Sequence, residues 1–487
     1  MRTSIVRRTT ASLALALMLA AAPAPAADKA PLAERVAATL RQIQGPGARF
    51  GLVVTTLDGR EIVALSPDDR FVPASNTKVY TTAAVFANIP DLTRPDTVGG
   101  AAVRLDGDDV ILEGHGDARL SSKAGCTVDC LATLADAVAA KTRRVDDVIG
   151  DDSDYPDERW SPGMGWNNIQ SRYGTGISAL TVDDNELAIT VRPGKAGGAA
   201  TVEALPYYAI DNQVTTVAGG KTALRLFRMP NSRELRIGGT IAADATPVEL
   251  AVGIDDPADF AAWRLKALLV ERGVKVKGRV DVRHRPLTPA DDPKVRAGAP
   301  AAMAPATTPL LKLTPPPLIE DLTHTNKVSQ NLHAELLLRR IARLRGSGSI
   351  ADGQAAVEAM LESAGVPRWA YDFSDGSGMS TYNRVTPRAS AALMRWIAAQ
   401  PWGAAFRSTL PIGGVDGTLA KRFKGTPLEG KVFAKTGTLN QANALAGYMT
   451  AASGQTLVIA AYAGDMPGDA SATTAMDVAL NLIAAEN

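Results

Sequence analysis

The sequence predicts an α/β (α+β) protein: an antiparallel sheet flanked by helices, with a β-rich region inserted into it. Three observations lead there. Hairpin patterns stand near both ends of the chain, at 50–65 and 445–462; helical patterns lie beside each of them; and from about residue 100 the texture changes to short β-like runs separated by turns. With 487 residues, 46% of them hydrophobic, the chain has material for about three domains and a large core. A single small module is excluded.

Arg2, Arg7 and Arg8 precede an apolar run from 11 to 22 and a small-x-small site, Ala24-Pro25-Ala26. This is the layout of a secretory signal peptide over 1–26, because the run falls short of the ~20 residues that span a bilayer. No later stretch reaches spanning length, so the mature chain is expected outside the cytoplasm without a transmembrane segment. Positions 32–43 then read as a helix, 50–57 and 61–65 around Asp58-Gly59 as a hairpin, and 79–89 as a helix. Short strands are expected at 103–105, 110–112, 187–192, 223–229, 234–237 and 248–254, interrupted by one helix, 257–272. The Pro/Ala-rich stretch 285–317 reads as a loop or boundary. Helices follow at 331–344, 353–364 and 388–399, then a strand at 431–438, a hairpin at 445–450 and 456–462, and a closing helix. The expected organisation is one unit in two parts, 27–98 and 291–487, split by an inserted β-rich region, 99–290.

Lys and Arg number 52 against 51 Asp and Glu, a net charge of +1, and no long basic run occurs. Nucleic acid is therefore not an expected partner, and acidic tails and polybasic membrane patches are absent. The two cysteines, Cys126 and Cys130, stand four apart in an exported chain. They read first as a disulfide, with half a metal site or free thiols as the alternatives.

Three short patterns carry chemistry. In Pro73-Ala74-Ser75-Asn76-Thr77-Lys78, at an expected helix start, positions i and i+3 share a face, which brings the Lys78 amine to the Ser75 hydroxyl. A serine hydroxyl is a weak nucleophile, and a lysine kept neutral by desolvation or a nearby cation can take its proton. Ser329-Gln330-Asn331, expected at the start of the 331–344 helix, offers a hydroxyl for proton relay and an amide for a substrate carbonyl. Lys435-Thr436-Gly437-Thr438 lies on an expected strand; Gly437 permits close backbone approach, and the two hydroxyls with the Lys435 charge suit a carboxylate. A substrate peptide can add beside such an edge as an extra strand. Each pattern alone has an ordinary reading: a chance Ser-x-x-Lys, an N-cap, a polar strand end.

Together and in this order they occur in penicillin-binding proteins and class A β-lactamases. The chain resembles the class C low-molecular-mass penicillin-binding proteins, D-alanyl-D-alanine carboxypeptidases and endopeptidases. The resemblance extends through Val72 to Lys78, Ser178-Ala179-Leu180 with Asn185, Lys327 to Glu335, and Asp375-Gly376-Ser377-Gly378. It continues through Asn383 to Pro387, Gly413 to Leu419, and Lys431 to Thr438. The interval from Ser75 to Ser329 is far longer than in the class A β-lactamases, which makes a β-lactamase or esterase the alternative reading.

The resemblance implies a penicilloyl-serine transferase (β-lactamase-like) fold, with the insert forming one or two extra domains. It implies an acyl-enzyme mechanism in which Ser75 attacks the penultimate D-Ala carbonyl of a peptidoglycan stem peptide, Lys78 is the base, and Ser329 and Lys435 shuttle the proton. Asn331 would position the substrate, the N–H groups of Ser75 and Thr438 would form the oxyanion hole, and Thr436 and Thr438 would bind the terminal carboxylate. β-Lactams would acylate Ser75. Asp151, in Asp151-Asp152-Ser153-Asp154, resembles an acidic residue of the insert that meets the amine of the stem's diamino acid; the alternative is a solvated acidic turn. Some members carry Arg after the Gly-Ser-Gly-Leu-Ser stretch, where this chain has Thr381. No cofactor or metal is implied. His115, His284, His324 and His333 are scattered, and neither His-Glu-x-x-His nor Gly-x-Ser-x-Gly occurs. Gly376–Gly378 and Gly413-Gly414 read as turns, not phosphate loops, because no strand-to-helix pattern ending in Lys-Ser/Thr follows them. The periplasm is the expected location, and a homodimer is one option for assembly.

Overall fold

The computed structural model describes residues 30–44, 47–302, 307–468 and 470–487, so the expected leader at 1–26 lies outside the described residues. The first and last thirds of the chain share one five-stranded antiparallel sheet, in the order Val432–Leu439, Ala442–Thr450, Thr456–Gly464, Arg49–Thr56, Glu61–Leu65. The seam between the two parts is a full-length pairing, from Arg49 opposite Gly464 to Thr56 opposite Leu457. Alternation along Arg49–Thr56 explains why both faces are covered. Leu52 and Val54 point into one core with the helices Leu32–Gln44 and Thr473–Ala485, while Val53 points into the other with Thr77–Asn88 and Pro387–Ala398. Each fully buried Leu or Val contributes about 1.5–3 kcal/mol, so a one-residue slip of this strand would be costly.

Thr77–Asn88 is the central helix. Its first ten residues are all buried, as expected for a helix that lacks a polar stripe. The helices Leu318–Val328, Asn331–Ala342 and Ile350–Ser363 pack around it. Within the described residues no helix is long and apolar enough to cross a membrane.

The middle of the chain builds three further sheets and two parallel two-residue strands. A mixed sheet runs Val280–Arg285, Val148–Pro156, Asp109–Glu113, Ala102–Asp106, Leu311–Lys312. Smaller sheets join Val248–Gly253, Glu186–Arg192 and Thr201–Ala204, and Ala223–Phe227, Glu234–Ala242 and Ala209–Val217. Two long helices cover this block, not the single one expected, and a short one, Trp166–Ile169, lies within it. Pro257–Glu271 opens with Asp256 accepting from the Asp259 N–H and with proline at its first position. Leu131–Lys141 has no side-chain cap, and Cys130 precedes it; an Ala-rich helix without a cap gives a weak boundary signal in sequence. Cys126 and Cys130 form a disulfide.

Candidate active site

Ser75 lies in a single 3-10 turn, Ala74–Asn76, that runs into the Thr77–Asn88 helix. The chain enters it with Ala74 at φ +48, a left-handed conformation that L-residues rarely adopt. Gly378, itself at φ +89, presses on this turn, and a Cβ there would lie 1.8 Å from the Ala74 carbonyl oxygen. On the other side Gly437 does the same: a Cβ would lie 2.3 Å from the Pro73 carbonyl oxygen and 3.0 Å from the Asn76 nitrogen. Two glycines on distant segments thus let the serine turn fit between the strand and the 375–380 loop.

The helical spacing is realised. Lys78 Nζ donates to Ser75 Oγ at 3.0 Å, to Asn331 Oδ1 at 2.7 Å and to the Ser377 carbonyl at 2.6 Å. Lys78 is fully buried whereas Ser75 is partly exposed. Burial pushes the Lys78 ammonium down to about 7, against the opposing pull of the Asp375 and Glu335 carboxylates. A hydroxyl within hydrogen-bond reach of an amine of that basicity is the arrangement that general-base activation requires.

Lys435 Nζ donates to Ser329 Oγ at 2.9 Å and to the Thr436 carbonyl at 3.0 Å. It is also fully buried; desolvation first, and the Lys78 charge second, hold its pKa well below the ordinary lysine value. Asn76 ties the two lysine-bearing elements together, donating to the Lys435 carbonyl at 2.8 Å while its own oxygen accepts from the Tyr462 hydroxyl at 2.8 Å. Thr436 Oγ1 donates to Thr418 at 2.7 Å, and Thr438, exposed, accepts from Asn443.

Ser329 is not at the start of a helix. It ends Leu318–Val328 in the left-handed conformation, φ +67, and Gln330 is the N-cap of Asn331–Ala342, accepting from the Leu332 N–H. The reversal at Ser329 aims its hydroxyl at Lys435 while Asn331 reaches Lys78. The hidden element is Leu318–Val328, anchored by Asn326, whose Nδ2 donates to Thr82 at 3.3 Å and to Thr409 at 2.8 Å. Its position directly after a proline-rich stretch obscures it in the sequence.

Hydrogen bonds and close contacts therefore join Ser75, Lys78, Ser329, Asn331, Lys435 and Gly437, with Thr436 and Thr438 on the same strand as Lys435. Asp151 does not join them by any hydrogen bond: it lies on Val148–Pro156 in the insert, and its carboxylate accepts from the Ser153 N–H and hydroxyl. Two acids that stand in the resembling stretches, with no role assigned to them there, also face the site. Glu335, one turn beyond Asn331, accepts from the Gly376 and Ser377 N–H groups at 3.0 and 2.8 Å. Asp375 accepts from Gly378, Ser380 and Asn383 at 2.9, 2.6 and 2.6 Å. An acidic residue four positions after Asn331 on a helix was the available signal, since that spacing puts both on one face. Among the described residues no group of three or more His, Cys, Asp or Glu is placed to hold a metal.

The chain is similar to known proteins over nearly its whole length. Residues 32–486 match the model of the D-Ala-D-Ala carboxypeptidase 3 (S13) family. A D-alanyl-D-alanine carboxypeptidase of Actinomadura sp. (strain R39) is 32% identical over 457 residues, covering 90% of this chain and 81% of the relative. The D-alanyl-D-alanine carboxypeptidase DacB of Haemophilus influenzae is 24% identical over 444 residues, 88% of each chain. The crystal structure of penicillin binding protein 4 (dacB) from that organism superposes with a TM-score of 0.74 at 21% identity, covering 92% of this chain and 97% of the other, and shows the same fold. That protein is also known complexed with a β-lactam. A serine and a lysine three apart, a second serine–lysine pair brought in from far along the chain, and a family match over nearly the whole length lead to one conclusion: this chain belongs to the D-Ala-D-Ala carboxypeptidase 3 (S13) family, the serine-type carboxypeptidases.

Proposed function

We propose that this DD-peptidase works through an acyl-enzyme on Ser75. The observation that carries the reading is the 3.0 Å contact between Ser75 Oγ and a buried Lys78 amine whose pKa burial brings to about 7. Lys78 takes the hydroxyl proton as Oγ attacks the carbonyl carbon of the penultimate D-Ala of a peptidoglycan stem. The carbon–nitrogen bond breaks, and Ser329 with Lys435 passes a proton to the leaving D-Ala amine. Water then hydrolyses the ester. The Ser75 and Thr438 N–H groups serve as the oxyanion hole, Asn331 holds the substrate amide, and Thr436 and Thr438 bind the terminal carboxylate. Gly437 supports this reading by letting the strand approach the serine turn closely, a Cβ there lying 2.3 Å from the Pro73 carbonyl oxygen. The reading includes endopeptidase action on D-Ala-diamino acid cross-links and covalent capture of β-lactams; the Haemophilus influenzae protein complexed with a β-lactam supports β-lactam binding.

Asp151 enters the proposal as a contact for the amine of the stem's diamino acid. Asp151→Asn is then expected to raise KM for a stem peptide and to leave acylation by a small penicillin unchanged; equal effects on both substrates would remove it from the site. We place the enzyme in the periplasm after loss of 1–26. The organisation 27–98 plus 291–487 around 99–290 belongs to the same proposal, although the bond from the Leu313 N–H to the Ala101 carbonyl supports a later second boundary. Sedimentation would decide between a monomer and a homodimer.

D-Ala release from a stem pentapeptide is the direct assay. Ser75→Ala is expected to abolish both release and labelling by fluorescent penicillin, and full activity of that variant would sink the reading. Mass spectrometry after brief penicillin exposure separates a DD-peptidase, with a persistent adduct, from a β-lactamase or esterase, with rapid turnover.

A further inference from the structure

Beneath the serine–lysine pair lies a support that the mechanism above does not use. Lys78 donates to the Ser377 carbonyl at 2.6 Å, and the N–H of the same residue, with that of Gly376, is held by Glu335 at 2.8 and 3.0 Å. The Gly376 carbonyl accepts from Thr81, three residues beyond Lys78, at 2.7 Å. Asp375 grips the same turn through the Gly378 and Ser380 N–H groups, and Gly378 is the residue wedged against Ala74 and Ser75. Asn331 and Glu335, one turn apart on a helix, thus reach Lys78 by two routes: Asn331 directly, Glu335 through the turn.

Glu335 is 4% exposed, and a neutral side chain could accept the same two N–H bonds. Burying a carboxylate there is costly unless cations offset it; Arg339 favours its charge, and that charge in turn favours the Lys78 ammonium. We propose that Glu335 is a positioning residue that fixes the Ser377 carbonyl against Lys78 and supplies part of the negative charge facing that amine, so that it sets the pH at which Lys78 becomes a base.

The groups that enter this balance are few. Lys78 faces Asp375 and Glu335, which favour its charged form, and Lys435 lies close enough to be discouraged by its charge. Burial pushes the Glu335 carboxyl up to about 7 and the Asp375 charge adds to that, while Arg339 and the Ser377 and Gly376 N–H groups favour its ionised form, so Glu335 carries its charge from about neutral pH upward, the range in which Lys78 loses its proton. Removing the Glu335 charge while keeping an acceptor makes Lys78 lose its proton more easily.

The proposal rests on the Ser75–Lys78 reading. The test is the pH dependence of the second-order rate constant for labelling by fluorescent penicillin, in the full mature chain. For Glu335→Gln the acidic limb is expected to move to lower pH by roughly one pH unit, the effect of losing one nearby opposite charge. Glu335→Asp, which keeps the charge but withdraws it from the turn, is expected to keep the wild-type midpoint while labelling falls roughly tenfold through misplacement. A Gln variant with the wild-type midpoint overturns the proposal, because a purely structural role would lower the folded fraction without moving the limb. Should the Gln variant fail to fold, Glu335→Asp decides: wild-type labelling overturns the proposal. If the unaltered enzyme neither labels nor releases D-Ala, the acyl-enzyme reading itself fails, an outcome distinct from both.

Discussion

At the scale of single residues, the site depends on two lysines that a water-accessible protein surface would leave charged. Burial lowers both, but only Lys78 is opposed by carboxylates, so its proton affinity stays near neutrality. A base must be deprotonated to act, so acylation of Ser75 is expected to rise with pH through about 7, as read by labelling rate against pH. The glycines that permit the packing are equally exposed to test. Gly437→Ala would put a methyl 2.3 Å from the Pro73 carbonyl oxygen, against backbone that cannot rotate away. Its expected effect is a loss of labelling of roughly a hundredfold, the scale associated with a displacement of about 1 Å in the reacting groups, with the sheet retained in circular dichroism. The Ser75–Lys78 contact was legible from the sequence, since i and i+3 meet on any helix. Lys435 facing Ser329 was not, because no periodicity links residues so far apart.

At the scale of elements, the sequence placed the central helix, the edge hairpin and the strand carrying Lys435 to within a few residues. It misplaced Ser329, because a serine followed by a helical pattern looks like a cap, whereas the chain here turns through a left-handed residue between two helices. It also missed Leu131–Lys141, whose Ala-rich composition lacks a capping signal. The disulfide before that helix closes a very short loop. Removing it is expected to cost about 2 kcal/mol at most in the chain-entropy account. Urea unfolding of Cys126→Ser/Cys130→Ser against the unaltered protein checks this, with penicillin labelling of the folded variant unchanged.

At the scale of the whole molecule, the insert is pinned to the helix that carries Asn331. Glu158 accepts from Arg339, Asp154 pairs with Arg343, and Asp184 lies 3.0 Å from His333 Nε2. Burial works against the His333 proton, yet the Asp184 and Asp321 carboxylates outweigh it and hold the pKa up at about 9. A folded-state value above the unfolded one means that this stabilisation is fully present below pH 6.5 and is lost as pH rises through about 9. His333→Asn is therefore expected to lower the urea midpoint most at pH 6 and progressively less toward pH 9.5; a difference independent of pH would show that His333 contributes only by packing.

The sequence by itself determined the chemical inventory: a hydroxyl and an amine three apart, two further polar triplets in order, and the helices and strands that bear them. These are local properties, governed by side-chain spacing and by the 3.6- and 2-residue periods. Only the tertiary structure decided which buried groups face one another: Lys435 with Ser329, Lys78 with Asn331, and Glu335 with the turn beneath the base. Those pairings follow from closing a sheet across the inserted region, and the low-dielectric interior that results gives each charge its altered proton affinity. Spacing along a chain fixes neighbours within an element; desolvation and partner choice arise only when distant elements pack.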